Sequence, residues 1–134
     1  MTHTLPQIPP KPPGDDVRGF LPDHEGQQLY EWANQAASIG PLLEIGSYCG
    51  RSTIWLGQAA EVHDAVVFAL DHHRGSEEHQ PGESHHDEAL VDTTGLFDSF
   101  GEFRRNIAAA GLEDTVIPIV ANSETVGPYW QGGL

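Results

Sequence analysis

The clearest chemistry in this sequence lies in a glycine-containing turn, which reads E-I-G-S-Y-C-G-R-S at residues 44–52. Gly46 and Gly50 allow the backbone to pass close to a ligand, and Ser52 can cap a helix that starts here. A helix N-terminus presents unpaired N–H groups and the positive end of the helix dipole. The turn therefore predicts a binding site for an anionic group.

The spacing within the turn separates three kinds of nucleotide site. A dinucleotide fingerprint, G-x-G-x-x-G, needs glycines where this chain has Tyr48 and Arg51. A phosphate-binding P-loop has four residues between its glycines and then Lys-Ser or Lys-Thr, whereas here three residues separate Gly46 from Gly50 and Arg51-Ser52 follows. Nicotinamide or flavin binding and nucleoside triphosphate hydrolysis are therefore disfavoured.

Three short apolar segments must form the strands that position this turn. Residues 42–45 and 65–70 show no polar alternation, as expected for parallel strands covered by helices. With a helix from Ser52 to about Glu61 they make a βαβ unit with a right-handed crossover. Residues 116–121 predict a third strand, and Pro118 within it requires a sheet edge or a bulge because proline has no N–H to donate.

Two amphipathic helices flank these strands in the predicted α/β fold. The first starts with Asp23 as its N-cap and stops at Gly40. Its apolar stripe consists of Leu29, Trp32, Ala33 and Ala36. The second is capped by Asp98 or Ser99 and closed by a left-handed Gly111. Its stripe consists of Phe100, Phe103, Ile107 and Ala110. Three strands and three or four helices are expected in all.

The charge and hydropathy of the sequence limit which kinds of partner we expect. Six basic residues against twenty acidic residues give a formal charge of −14, which repels phosphate backbones and anionic membranes, so no nucleic-acid partner is expected. No apolar stretch reaches membrane-spanning length and the N-terminus lacks a signal-peptide pattern, so we expect no membrane partner and a cytoplasmic location. The single cysteine, Cys49, is expected to be a small buried residue rather than a nucleophile.

Two segments lie outside the regular pattern. Residues 1–22 begin with a proline-rich stretch and predict an extended or disordered arm, with packing as a lid as the alternative, leaving residues 23–134 as the domain. The polar stretch 72–98 predicts an inserted loop. Its five histidines are His72, His73, His79, His85 and His86. We interpret this stretch as a solvated loop, and the alternative is a metal site built from His85, His86 and Asp87.

The turn and three further segments resemble the class I S-adenosylmethionine-dependent methyltransferases, and especially the catechol-type small-molecule O-methyltransferases. These segments are A-L-D at 69–71, F-R-R-N-I-A-A-A-G-L at 103–112 and V-I-P-I-V-A-N-S-E at 116–124. The resemblance implies a partial Rossmann-like sheet with parallel strands in the order 3-2-1, flanking helices and strand three at the edge, as Pro118 requires. It also implies that the chain stops before strand four.

The resemblance also implies a cofactor site for S-adenosylmethionine. The residues that match positions around the methionine part are Glu44, Gly46, Tyr48, Gly50 and Ser52. Asp71 matches the acidic residue that accepts hydrogen bonds from both ribose hydroxyls, and such charge-assisted bonds are strong. His72 falls where a side chain packs on adenine, and Asn122 and Ser123 fall where the base edge is contacted.

Methyl transfer to a small-molecule acceptor, with oxygen as the acceptor atom, is the function that this resemblance implies. Its catalytic residues are unknown from this sequence. A divalent cation is used by the catechol-type relatives, but their ligands lie in segments that this chain does not contain, so no metal site is assigned. A homodimer is left open. The alternative hypothesis is a non-catalytic binding module whose acidic, histidine-rich loop binds metal or a protein.

Overall fold

A computed structural model of the chain describes residues 8–76, 79–80, 83 and 87–131. The helices and strands, in chain order, are α1 (Asp23–Ala37), β1 (Leu42–Ile45), α2 (Arg51–Val62), β2 (Val67–Leu70), α3 (Phe100–Ala109), β3 (Val116–Ile119) and α4 (Ser123–Val126). Short 3₁₀ turns lie at Glu88–Leu90 and Gly127–Tyr129. No helix within the described ranges is both long enough and apolar enough to cross a membrane.

The three strands form one parallel sheet in the order β1-β2-β3, which confirms the predicted α/β fold and the 3-2-1 order. The register aligns Leu42, Val67 and Val116 across the sheet. Pro118 lies opposite Ala69 on β3, which pairs with β2 alone among the described residues. The missing N–H of Pro118 is therefore tolerated at an edge strand.

The sheet buries one face more completely than the other. Val67, Ala69 and Val116 pack with small residues of α2 in the main apolar core, where they are almost wholly excluded from solvent. Side chains alternate between faces along a strand. On the opposite face Ile45 and Ile117 stay 64% and 41% exposed.

Helix α1 differs in two details from the prediction. It begins at Asp23, but Pro22 occupies the N-cap position and no side chain caps it, so Asp23 as N-cap was wrong. Trp32 is 63% exposed and Ala36 is exposed as well, so half of the predicted stripe was wrong. The buried residues of α1 are Gly26, Ala33 and Ala37. Compared with the predicted stripe, the buried side of α1 is rotated about the helix axis, because Gly26 rather than Trp32 faces α2.

Helix α3 follows its prediction more closely. The Asp98 carboxylate accepts the N–H of Phe100 at 3.0 Å and therefore caps the helix, while Ser99 in the N-cap position makes no capping bond. Gly111 has φ +73°, which confirms the left-handed residue after the helix. Ala110, assigned to the stripe, is exposed.

The segment between β2 and α3 is not wholly solvated. Leu90 and Phe97 are buried with Cys49 in a second apolar cluster, and an antiparallel bridge joins Val91 to Phe97. His73 is 1% exposed. The prediction of a solvated loop was therefore wrong for these residues, because Leu90 and Phe97 pack on Cys49 of the glycine turn and His73 packs on Phe100 and Phe103 of α3. His85 and His86 lie outside the described residues.

Candidate cofactor-binding site

The glycine turn, residues 46–50, connects β1 to α2 through three left-handed residues. The φ angles are +86° at Gly46, +48° at Tyr48 and +94° at Gly50. A Cβ on Gly46 would meet no atom within 4 Å, so the backbone is open to a ligand there. A Cβ on Gly50 would lie 3.3 Å from the Phe103 ring, so α3 packs directly on the turn at that point.

Helix α2 begins immediately after this turn. Gly50 is its N-cap residue, so the prediction that Ser52 caps the helix was wrong. The Ser52 hydroxyl instead donates to the Glu44 carboxylate at 2.5 Å, and the Thr53 hydroxyl donates to the other oxygen of Glu44. Ser52 is the second residue of the helix, so its hydroxyl lies within the first turn and not at the cap position.

Glu44 is the buried charge of this site. It is 9% exposed, and burial raises its pKa, while hydrogen bonds from Ser52 and Thr53 act in the opposite direction. Two of the predicted cofactor residues, Glu44 and Ser52, therefore contact each other. Glu44 lies beneath the turn and supports the start of α2.

Asp71 joins the ends of β1 and β2. It follows the last residue of β2, and its Oδ2 accepts the backbone N–H of Tyr48 at 2.8 Å. Its Oδ1 accepts the backbone N–H of His73 at 2.9 Å. The structure thus brings Asp71 and the glycine turn together at the carboxyl edge of the sheet.

The turn is anchored through its buried residue Cys49, whose carbonyl is bonded by Asn106 of α3. Cys49 is wholly buried, and burial, followed by the nearby charge of Glu102, raises its pKa to about 12, so it is not a reactive thiol. The Asn106 side chain donates to the Cys49 carbonyl at 2.9 Å across 57 residues of sequence. Sequence reasoning missed Asn106, although a polar residue on the apolar side of α3 was a signal that could have identified it.

A cavity of about 230 Å³ lies over the turn. Its lining residues are Arg18, Gly19, Phe20, Leu21, Gly46, Ser47, Tyr48, Arg51, Ser52 and His79. Two of the six lysine and arginine residues of the chain are in this lining, and the lining residues that the structure describes include no carboxylate. Both arginines pair with carboxylates outside the lining, Arg51 with Asp23 at 3.2 Å and Arg18 with Asp87 at 2.7 Å, so much of their positive charge is neutralised there.

Aromatic rings form one wall of this cavity. The ring of Tyr48 stacks on His79 with centroids 5.4 Å apart and on Phe97 at 6.5 Å. Burial raises the pKa of Tyr48 to about 12, and the nearby Cys49 adds to the shift, so the phenol is neutral at physiological pH. His79 was predicted only as part of the loop.

The remaining predicted residues lie at the ends of the neighbouring strands. His72 directly follows Asp71, is half-buried, and accepts the N–H of Arg74 at 2.9 Å through Nδ1. Asn122 and Ser123 follow β3 and are exposed; the Asn122 side chain accepts the N–H of Glu124 at 2.9 Å and caps α4. None of these three belongs to the lining of the cavity described above.

Within the described ranges, no group of three or more His, Cys, Asp or Glu side chains is arranged to hold a metal ion. Two of the residues proposed for a metal site, His85 and His86, lie outside those ranges. The metal alternative therefore stays a hypothesis.

Residues 43–134 match the protein family described as "Methyltransferase domain". Among solved structures, the cofactor-bound protein Rv0187 from MTB superposes with a TM-score of 0.59 at 26% identity and 87% of this chain covered. The O-methyltransferase TomG from Streptomyces achromogenes, in complex with SAM, has a TM-score of 0.55 at 17% identity, with 86% of this chain covered. The SAH-bound methyltransferase PaMTH1 from Podospora anserina has a TM-score of 0.58 at 17% identity, with 84% of this chain covered. This chain spans 42%, 40% and 38% of their lengths.

Proposed function

We propose that this chain, which belongs to the methyltransferase domain family, binds S-adenosylmethionine with Asp71 and the glycine turn. The observation that carries the proposal is the position of the Asp71 carboxylate, where each oxygen accepts one backbone N–H. An ionised carboxylate offers about four acceptor sites, so each oxygen keeps one for a ribose hydroxyl. The two existing bonds fix its orientation before ligand arrives.

The turn and the cavity supply sites for the methionine part. Gly46 leaves open space above its backbone, and α2 begins after Gly50 without a side-chain cap, so its N-terminal N–H groups suit the methionine carboxylate. The Ser52 proton is directed at Glu44, so its oxygen is available only as an acceptor, which suits the methionine ammonium group. When bound, the cofactor supplies an activated methyl group. The residues of this chain bind and orient it, and positioning of this kind lowers the barrier to transfer.

We assign His72, Asn122 and Ser123 to the adenine end of the cofactor. They lie at the carboxyl ends of β2 and β3, on the same edge of the sheet as Asp71. In open α/β sheets ligands bind outside this edge. The capping bond of Asn122 uses its carbonyl oxygen and leaves its amide N–H₂ group for a base edge.

The proposed reaction is methylation of an oxygen on a small-molecule acceptor. It is supported by the resemblance of the turn to catechol-type O-methyltransferases. Transfer of labelled methyl from S-adenosylmethionine, by the longest protein that contains this chain, should be tested with matched phenol and amine acceptors. Methylation of the phenol supports the proposal, and exclusive methylation of the amine contradicts it.

Calorimetric titration with S-adenosylhomocysteine tests cofactor binding. Asp71→Asn removes the negative charge while keeping the shape of the side chain. Because hydrogen bonds to a charged group contribute about 1.5–3 kcal/mol, the affinity should fall by about 10- to 150-fold. The matched control is Asp64→Asn, an exposed aspartate after α2 at the opposite edge of the sheet. Equal affinities for wild type and Asp71→Asn, with both folded by circular dichroism, would remove the ribose assignment.

A further inference from the structure

The N-terminal segment Lys11–Leu21, which we call the strap, lies across α2 and reaches the cavity. It contains no helix or strand, yet Pro13 and Val17 are buried and Val17 belongs to the main core. Its last four residues, 18–21, line the cavity opposite Gly46 and Tyr48. The strap therefore provides one wall of the site assigned to the cofactor.

Arg51 holds the middle and the end of the strap through its guanidinium. Nε donates to the Leu21 carbonyl at 2.9 Å, and Nη1 donates to the carbonyls of Gly14 and Val17, each at 3.1 Å. Nη2 contacts the Asp23 carboxylate at 3.2 Å. The side chain is only 14% exposed. A planar fork with five donors can satisfy several acceptors in this way, whereas the point charge of a lysine cannot.

Gln58 holds the beginning of the strap at a distance from the cavity. Its Oε1 accepts the Lys11 N–H at 2.7 Å, and its Nε2 donates to the Lys11 carbonyl at 2.8 Å. Gln58 lies seven residues after Arg51 on α2, about 10 Å along the helix, and is absent from the cavity lining. Its side chain bonds both the N–H and the carbonyl of Lys11, which fixes the position of the strap along the helix.

A third contact closes the strap over the turn. Arg18 Nε donates to the Asp87 carboxylate at 2.7 Å, and Arg18 Nη1 lies 3.9 Å from Glu102 of α3. The strap is thereby joined to the segment that contributes Leu90 and Phe97 to the second apolar cluster. The side chains of Arg18 and Asp87 are each 36% exposed, so we expect this ion pair to stabilise the strap less than the buried guanidinium of Arg51 does.

We propose that Arg51 and Gln58 are positioning residues that hold the strap as a wall of the cofactor cavity, so that cofactor affinity depends on the strap's attachment. The proposal rests on the proposed function. If the strap is attached in only a fraction of molecules, the apparent affinity falls in proportion to that fraction. A variant that leaves the strap attached one tenth of the time should bind about tenfold more weakly.

The test measures S-adenosylhomocysteine affinity in the full chain for Gln58→Met, Arg51→Met, the double variant and the control Arg104→Met on the exposed side of α3. Gln58→Met should weaken binding several-fold although Gln58 does not line the cavity. Arg51→Met should weaken it by about tenfold or more. The double variant should lose less than the product of the two, because both act through one segment. Arg104→Met should bind like wild type.

Hydrogen exchange of the strap amides is measured in parallel, because it reports attachment without any ligand. Faster exchange at Lys11 in Gln58→Met, together with weaker binding, supports the proposal. Faster exchange with unchanged affinity overturns it, as does a loss confined to Arg51→Met, which would indicate direct contact between Arg51 and the ligand. If wild type binds no S-adenosylhomocysteine while the strap is protected, the proposed function is overturned and the role of the strap in it falls as well.

Discussion

The crossing of α1 over α2 depends on the absence of a side chain at Gly26. The indole of Trp55 is wholly buried against it. A Cβ at position 26 would lie 2.1 Å from Trp55 Nε1 and 2.2 Å from Cε2, whereas non-bonded contacts need about 3.5 Å. Gly26→Ala therefore requires the two helices to separate by more than about an ångström or the buried indole to move.

The free energy of unfolding should fall by about 2 kcal/mol in Gly26→Ala. Overpacking of a core costs about 1–3 kcal/mol, and an overlap with a ring that has no free space belongs at the upper end. Alanine gains about 1 kcal/mol over glycine in a helix interior. With a urea dependence of about 2 kcal/mol per molar, the midpoint should fall by about 1 M, followed by circular dichroism.

Gly101→Ala in α3 is the matched control. The nearest atom to its Cβ would be Arg105 Nη1 at 3.6 Å, an ordinary contact, so the same helix preference acts without overlap. We expect its free energy of unfolding to rise by up to about 1 kcal/mol, and its urea midpoint to rise accordingly. An unchanged or raised midpoint in Gly26→Ala would refute the packing argument, since helix preference alone would then account for both variants.

Two buried titratable groups predict opposite pH effects, to be measured by urea unfolding between pH 5 and 8. Burial lowers the pKa of His73, so the unfolded chain binds more protons below about pH 6.5 and stability falls as the pH falls, by at most about 1.4 kcal/mol per unit. Asparagine tolerates the left-handed backbone at position 73, so His73→Asn should remain folded. As the pH falls from 8 to 5, this variant should lose less stability than wild type, and an equal loss would exclude His73 as the cause. Burial raises the pKa of Glu44, so its ionisation costs stability as the pH rises above about 4.5. Glu44→Gln should therefore gain relative to wild type from pH 5 to pH 8, and a constant difference would contradict this.

The turn and the edge position of β3 could be predicted because their signals are local, whereas the strand order was implied by the resemblance to class I methyltransferases. Gly46, Gly50 and Pro118 each impose a backbone constraint that the sequence displays directly. The stripe of α1 could not be predicted in full. Trp32 looked like a core residue by its spacing, but the partner that selects the buried side is Trp55, which lies on another helix.

The contacts of the strap and the cap of α2 were missed for a related reason. The bonds from Arg51 and Gln58 reach backbone atoms, which have no residue type to recognise in a sequence. Ser52 had the right type for an N-cap, but α2 begins at Arg51 with Gly50 as its N-cap, and the Ser52 hydroxyl donates to buried Glu44. The contact with Glu44 is decided by tertiary distances, which no local pattern contains.

Three supports of the turn lie within the described part of this chain. Asp71 holds Tyr48 from β2, Asn106 holds Cys49 from α3, and Phe103 packs on Gly50. A turn fixed from two other elements keeps its left-handed residues without ligand, so binding need not supply the cost of ordering it. Cofactor affinity should therefore respond to these supports, whereas the rate of methyl transfer should respond to whatever positions the acceptor. Binding and turnover are accordingly expected to separate when they are measured on the same variants.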